Sequence, residues 1–126
     1  MKIVTLIARI LLGLVFVVFG LNGFLNFLSM GPMPTGLAGQ FMGALFMSHY
    51  YWVVAALQIV GGLLLLVNRF VPLALVLLGP VIVNILCYHL FLNHAGAPLA
   101  IVVTALWFIA FYGYRQYFAG IFVQRA

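Results

Sequence analysis

Histidine and amide side chains are the groups in this chain that could do chemistry, and their surroundings are strongly apolar. The segment PVIVNILCYHLFLNHAGAP, residues 80–98, carries Asn84, His89, Asn93 and His94 between two prolines. Imidazole can ligate haem or a transition metal, or accept a proton near neutral pH. Quinol oxidation needs such a proton acceptor, so one hypothesis is a quinone- or haem-binding site that uses His89 and Asn84.

The same histidines have a structural interpretation as the polar ends of apolar helices. On one ideal helix His89 lies about 140° from Asn84, so the two side chains cannot point at one bundle axis. His49 and His94 are expected at a membrane–water interface. No two histidines have the i, i+4 spacing of a helical metal site, and we predict no metal site. Both interpretations stay open for His89.

Several kinds of catalysis are excluded by residues that the chain lacks. It has 126 residues with no Asp, no Glu and one cysteine, Cys87. Paired-carboxylate catalysis and hard-cation sites built on carboxylates are therefore excluded within a single chain. A lone cysteine also cannot form an intrachain disulfide. We expect no catalytic residue and no cofactor that the sequence requires, with quinone or haem as the ligands left open.

The composition indicates that lipid, not water, surrounds most of the chain. Hydrophobic residues make up 68% of the sequence and charged residues 4%, whereas soluble domains have about a quarter charged residues. A spanning helix needs about 20 apolar residues. We predict an all-α fold, a four-transmembrane-helix antiparallel bundle forming one domain over residues 1–126. The predicted spans are residues 3–28, 50–67, 72–92 and 98–118, with a short interfacial or re-entrant helix at residues 37–48.

The basic residues predict the orientation of these spans. The formal charges are five cations, Lys2, Arg9, Arg69, Arg115 and Arg125. All five lie on one side if both termini are cytoplasmic, as the positive-inside rule requires. On that side they would meet anionic lipid, and Arg9 would extend from within the first span to the interface. We predict a multi-pass protein of the bacterial cytoplasmic (inner) membrane, with no nucleic-acid partner because the cations form no basic patch.

Amide side chains inside the spans are predicted to make contacts between helices. Gln58 and Asn84 lie near the middle of neighbouring antiparallel spans, and Asn22 and Asn26 are one turn apart in the first span. An unpaired amide in hydrocarbon costs several kcal/mol. We therefore expect all four to face protein, with a hydrogen bond between Gln58 and Asn84 as the simplest arrangement.

Small residues in the first span predict close helix packing. Gly13, Gly20 and Gly23 share a helical face with Arg9. Small residues let a neighbouring backbone approach closely, which is how membrane helices associate without a hydrophobic driving force.

Four segments together resemble the DoxX family of small bacterial membrane proteins. They are ARILLGLVFVVFGLNGFLNF, ALQIVGGLLLLVNRFVPLAL, PVIVNILCYHLFL and YRQYF, beginning at residues 8, 56, 80 and 114. The order R-x3-G-x6-G, then GG-L-L-L-L-x-N-R, then P-x3-N-x4-H is distinctive as a whole. The resemblance implies a four-helix membrane bundle. It also implies an association with redox physiology, because family members resemble subunits of quinol- or thiosulfate-linked membrane oxidoreductases.

The chain departs from that family pattern at two places. Some relatives have Glu at the position of Gln58, and often an acidic residue early in the last span, where this chain has residues 104–108, TALWF. Both departures remove protonatable groups, which argues against a proton-coupled role.

Three functions follow as hypotheses. The first is a non-catalytic accessory or assembly subunit of a larger membrane electron-transfer complex, which would contact other membrane subunits or further copies of itself. The second is a quinone- or haem-binding redox protein that uses His89 and Asn84. The third is a small-molecule transporter, which would have to form an oligomer.

Overall fold

The described part of the protein is helical throughout. A computed structural model describes residues 2–25, 34–94 and 96–124, and these ranges contain helices and turns but no strand. The five α-helices are α1 (Lys2–Leu25), α2 (Gly36–Met47), α3 (Tyr51–Val67), α4 (Val71–Cys87) and α5 (Ala97–Gly113). A π-helical turn, Tyr88–Leu92, continues α4, and a 3-10 helix, Arg115–Phe122, follows α5. The predicted all-α fold is confirmed for these residues.

Two helices are long and apolar enough to cross a membrane alone. They are α1 and the continuous helix Val71–Leu92. Two further helix pairs reach the required length only together, and each is bent: α2 with α3 by 79°, and α5 with the 3-10 helix by 84°. The described chain therefore has two membrane-spanning helices, or up to four if each bent pair counts as one span. At 17 residues each, α3 and α5 are about 26 Å long, close to the thickness of the hydrocarbon core.

The helix that ends at Gly113 is shorter than the span predicted over residues 98–118. Gly113 packs directly against the Thr5 side chain. Beyond it, the Arg115 guanidinium donates to the Tyr112 carbonyl at 2.6 Å. A cation bonded to a last-turn carbonyl is a favourable way to end a helix. The end of the first predicted span, at residue 28, lies outside the described residues.

The residues of the turn between α3 and α4 suit its backbone conformation. Asn68 takes the left-handed conformation at φ 58°, which asparagine tolerates better than most residues. The Asn68 and Arg69 N–H groups donate to the carbonyls of the last turn of α3, including that of Leu64. Pro72 then occupies the first turn of α4, where its missing N–H is tolerated.

The core is formed where α1 and α4 each pack against both α3 and α5. Its largest fully buried side chains are Phe16, Leu12, Leu65, Leu75 and Leu78. The α1–α3 contact is close because glycines lie on both helices. A Cβ on Gly13 would lie 2.9 Å from the Gly62 carbonyl oxygen, and a Cβ on Gly62 would lie 2.8 Å from that of Gly13. Gly20 faces Ala55 in the same way, so α1 and α3 run antiparallel.

Replacing Gly62 with alanine should destabilise the protein, because the added methyl group meets backbone atoms of α1. We expect the free energy of unfolding to fall by about 1–3 kcal/mol, measured by denaturant titration in detergent micelles. Gly43→Ala in α2 is the matched control, since nothing lies within 4 Å of a Cβ there. Alanine is the better helix former, so this variant should gain up to about 1 kcal/mol. Equal stability of the two variants would contradict the close approach of α1 and α3.

Candidate functional site

Residues from three parts of the chain, three of them basic, line one cavity. The cavity has a volume of about 440 Å³ and lies where the start of α1, the α3–α4 turn and the end of α5 meet. We call it the basic cavity. Three of its lining residues are cations, Lys2, Arg9 and Arg115, and four are neutral and polar, Thr5, Asn68, Tyr112 and Tyr114.

Arg9 is the buried cation of this cavity. Only 6% of its surface is exposed, and its Nη1 donates to the Leu65 carbonyl in the last turn of α3. The sequence predicts that Arg9 extends to the membrane interface. In the structure its guanidinium bonds to that carbonyl, and the residue lines the basic cavity. The negative end of the α3 dipole is equivalent to roughly half a charge. Since the chain contains no Asp and no Glu, no side-chain carboxylate can form an ion pair with this guanidinium.

The other cavity residues are positioned by contacts near the end of α5. The Arg115 guanidinium lies over the Tyr112 ring, 3.9 Å from its centroid. The Tyr114 hydroxyl donates to the Asn68 Oδ1 at 3.4 Å. The Asn68 side chain is exposed, and its NH₂ group can donate to a ligand. Lys2 is exposed at the cavity.

The remaining predicted cations are not part of the cavity. Arg69 is exposed in the α3–α4 turn and does not line it. Arg125 lies outside the described residues. The structure therefore brings together three of the residues that the sequence assigned to orientation and anionic lipid.

Gln58 and Asn84 lie in different environments. Gln58 is only 5% exposed, and its Oε1 accepts no hydrogen bond from the described residues. Asn84 is exposed, and its Nδ2 donates to the Pro80 carbonyl one turn earlier in α4, at 2.9 Å. Within the described part of the chain the two amides do not bond to each other, unlike the arrangement expected from the sequence. Asn22 is buried in α1, and Asn26 lies outside the described residues.

His89 is part of the connection between α4 and α5. Its Nδ1 lies 3.1 Å from the Asn93 carbonyl oxygen, and its ring meets that of Tyr88 edge-on. Gly96 lies against the same ring: its φ is +83°, and a Cβ there would lie 3.0 Å from the His89 Cε1. The imidazole thus fills the space beneath a turn that requires glycine.

The other two histidines are separate from His89. The His49 ring packs against Trp52, with centroids 4.5 Å apart. His94 is exposed, and its carbonyl accepts from Ala97. No three His or Cys side chains of the described ranges come together as metal ligands.

Sequence reasoning missed the neutral half of the basic cavity. Thr5, Asn68, Tyr112 and Tyr114 were not predicted as site residues. One signal was present: Thr5 is four residues before Arg9, so the two lie on one face of α1. The contribution of α5 had no local signal, because it depends on the packing of α1 against α5.

Replacing Gln58 with methionine tests whether its buried oxygen lacks a partner. An unsatisfied buried polar group costs about 1–3 kcal/mol, so Gln58→Met should keep or raise the free energy of unfolding in detergent. Leu57→Met, next to it on α3 and partly buried, is the control for a methionine side chain in this region. A loss of stability larger than that of the control would show that the Gln58 oxygen accepts a hydrogen bond in the membrane.

Comparison with known proteins identifies the family of this chain. The DoxX family model matches residues 4–95, well over half of the chain. No curated protein and no solved structure matches it. Together with the apolar helices, the family match indicates a multi-pass membrane protein. The chain therefore belongs to the DoxX family.

Proposed function

We propose that this DoxX-family protein is a non-catalytic accessory or assembly subunit of a larger membrane electron-transfer complex. The observation that carries the proposal is the amide of Asn84, which is exposed on the surface of a membrane-spanning helix. The acyl chains of lipids cannot hydrogen-bond to an amide, whereas a helix of a partner subunit can.

Asn84 lies too far from both ends of its helix for water outside the membrane to hydrogen-bond to its amide. It is 13 residues from Val71 and 8 from Leu92, the ends of that span. These separations correspond to about 20 Å and about 12 Å along the helix axis. Its neighbour Val83 is 58% exposed, as expected on a face that meets hydrocarbon or another protein.

The hydrogen bond to Pro80 satisfies only part of the Asn84 amide. It uses one N–H group and leaves the second N–H and the carbonyl oxygen. Polar groups without partners in hydrocarbon cost several kcal/mol. A transmembrane helix with a Ser, Thr, Asn or Gln side chain at the same depth would satisfy them, which is a common way for membrane helices to associate. We therefore propose such a helix of a partner subunit as the occupant of this face.

The redox part of the proposal rests on the resemblance. Family members resemble subunits of quinol- or thiosulfate-linked membrane oxidoreductases. The family resemblance therefore suggests that the partner subunit carries a redox cofactor.

We further propose a four-span antiparallel bundle in the bacterial inner membrane, with both termini cytoplasmic and α2 at the opposite interface. The basic cavity supports this arrangement, because residues near both ends of the chain meet the α3–α4 turn there. These segments hold Lys2, Arg9, Arg69 and Arg115, and cytoplasmic segments are rich in such cations.

A second candidate, quinone or haem binding by the chain itself, is favoured by the geometry of His89. A carbonyl oxygen only accepts, so the Nδ1 that contacts the Asn93 carbonyl carries the proton. Nε2 then has the lone pair, and this orientation by a backbone carbonyl is typical of ligating histidines.

Replacing Asn84 with leucine should release the partner subunit. The tagged protein, purified from native membranes in mild detergent, is expected to carry along chains with a redox cofactor, detected by visible absorbance and identified by mass spectrometry. Losing interhelical hydrogen bonds of about 0.6–2 kcal/mol should lower the co-purified amount roughly three- to thirtyfold. Val83→Ala, on the neighbouring exposed position, should leave it unchanged.

Two results would count against the accessory role. Recovery of the wild-type protein as a lone monomer would contradict it directly. If the chain purified alone carries haem or quinone, and the His89→Phe variant does not, the result would favour quinone or haem binding by the chain itself.

The orientation has its own test. A reporter fused after Ala126 should give the cytoplasmic signal, since the arrangement has both termini on the basic side. The same reporter inserted after Gly43, in α2, should give the periplasmic signal. A periplasmic signal from the C-terminal fusion would overturn the orientation.

A further inference from the structure

We propose that the basic cavity is a binding site for a phosphate group, either the headgroup of an anionic phospholipid or a free phosphate anion. The inference is independent of the accessory role proposed above. It follows from the charge of the cavity, the burial of Arg9 and the position of the donor groups.

The charge balance of the cavity calls for an external anion. Lys2, Arg9 and Arg115 contribute three positive charges to one volume of about 440 Å³. No side-chain carboxylate can balance them, because the chain contains no Asp and no Glu. A bound anion would therefore be the main negative charge in the cavity.

Arg9 makes this a site within the protein and not only a basic surface. A surface cation is neutralised by water and salt, but Arg9 is 6% exposed. Removing an ion from water carries a penalty of several kcal/mol unless charge and hydrogen bonds compensate it. The Leu65 carbonyl provides one acceptor, and the remaining guanidinium N–H groups can donate to phosphate oxygens in the planar fork that suits them.

The neutral residues complete a set of donors suited to phosphate. Thr5 and Tyr112, which both carry a hydroxyl group, line the cavity. The Asn68 oxygen accepts from Tyr114, and the NH₂ group of the same exposed side chain can donate to a ligand. Arg115 is held over the Tyr112 ring at the cavity, which orders an exposed side chain. The described lining thus contains many hydrogen-bond donors and no anionic acceptor.

The depth of the cavity fits the phosphate layer of a bilayer. Lys2 and Arg9 are seven residues apart in α1, which places them about 10 Å apart along the axis. The polar region on each side of the hydrocarbon core is roughly 5–8 Å thick. A headgroup phosphate at that level would have Lys2 on its water side and Arg9 on its hydrocarbon side.

Binding measurements on the purified protein test the site. The probes are phosphatidylglycerol and phosphatidylcholine in mixed micelles, and inorganic phosphate against chloride at equal ionic strength, with affinity measured by titration calorimetry. We expect saturable binding of phosphatidylglycerol or of phosphate. Arg9→Gln and Arg115→Gln should each weaken it about tenfold, as expected for a charged hydrogen bond.

The matched control is Arg69→Gln, which removes one cation that does not line the cavity. It should weaken binding about twofold or less. If Arg9→Gln does not fold, binding by the double variant of Lys2→Gln and Arg115→Gln tests the site, since both of these side chains are exposed.

The outcomes separate the two sources of phosphate. If phosphatidylglycerol binds and inorganic phosphate does not, the cavity is a lipid site. If inorganic phosphate binds and phosphatidylglycerol does not, it is a site for a free anion. Both would support the basic cavity as the phosphate site if cavity variants weaken binding more than Arg69→Gln does. No saturable binding, or equal weakening by cavity and control variants, would overturn it.

Discussion

The contact between the Arg9 guanidinium and the Leu65 carbonyl places a buried charge at the interface of two apolar helices, and this constrains the structure around it. It joins α1 to the end of α3 inside an apolar protein, where a cation needs both an acceptor and a compensating charge. The carbonyl comes from the negative end of a helix dipole. Arg9 also lines the basic cavity, together with residues near the end of α5.

The close approach of α1 and α3 makes that contact geometrically possible. Gly13 is one turn after Arg9, and its neighbour across the interface is Gly62. With larger residues at these positions the backbones would separate, and Arg9 would lose reach of Leu65. Packing and electrostatics are therefore coupled, because the small residues that let membrane helices associate also allow one helix to solvate a charge on the other.

Much of the fold could be predicted from sequence, and the side-chain environments could not. Apolar length and prolines indicated the helices, and the loop residue Asn68 indicated a turn. Which face of α4 meets α3 was not predictable, because helices that are apolar all round have no amphipathic stripe to orient them. For that reason Asn84 was placed opposite Gln58, although it is exposed and bonds within its own helix. The basic cavity depends on contacts between distant segments, and no local pattern encodes these.

The meeting of α1 with α5 at Thr5 and Gly113 has a consequence for biogenesis. A chain inserted from its N-terminus places Arg9 in the membrane long before α5 is made, so the charge is at first without the residues that will surround it. Tyr112 is made only with α5 and Arg115 only after it, so this side of the cavity is the last to be synthesised. The complete cavity can therefore form only after α5 has been inserted. An anion that binds there would stabilise fully inserted molecules and not partly inserted ones.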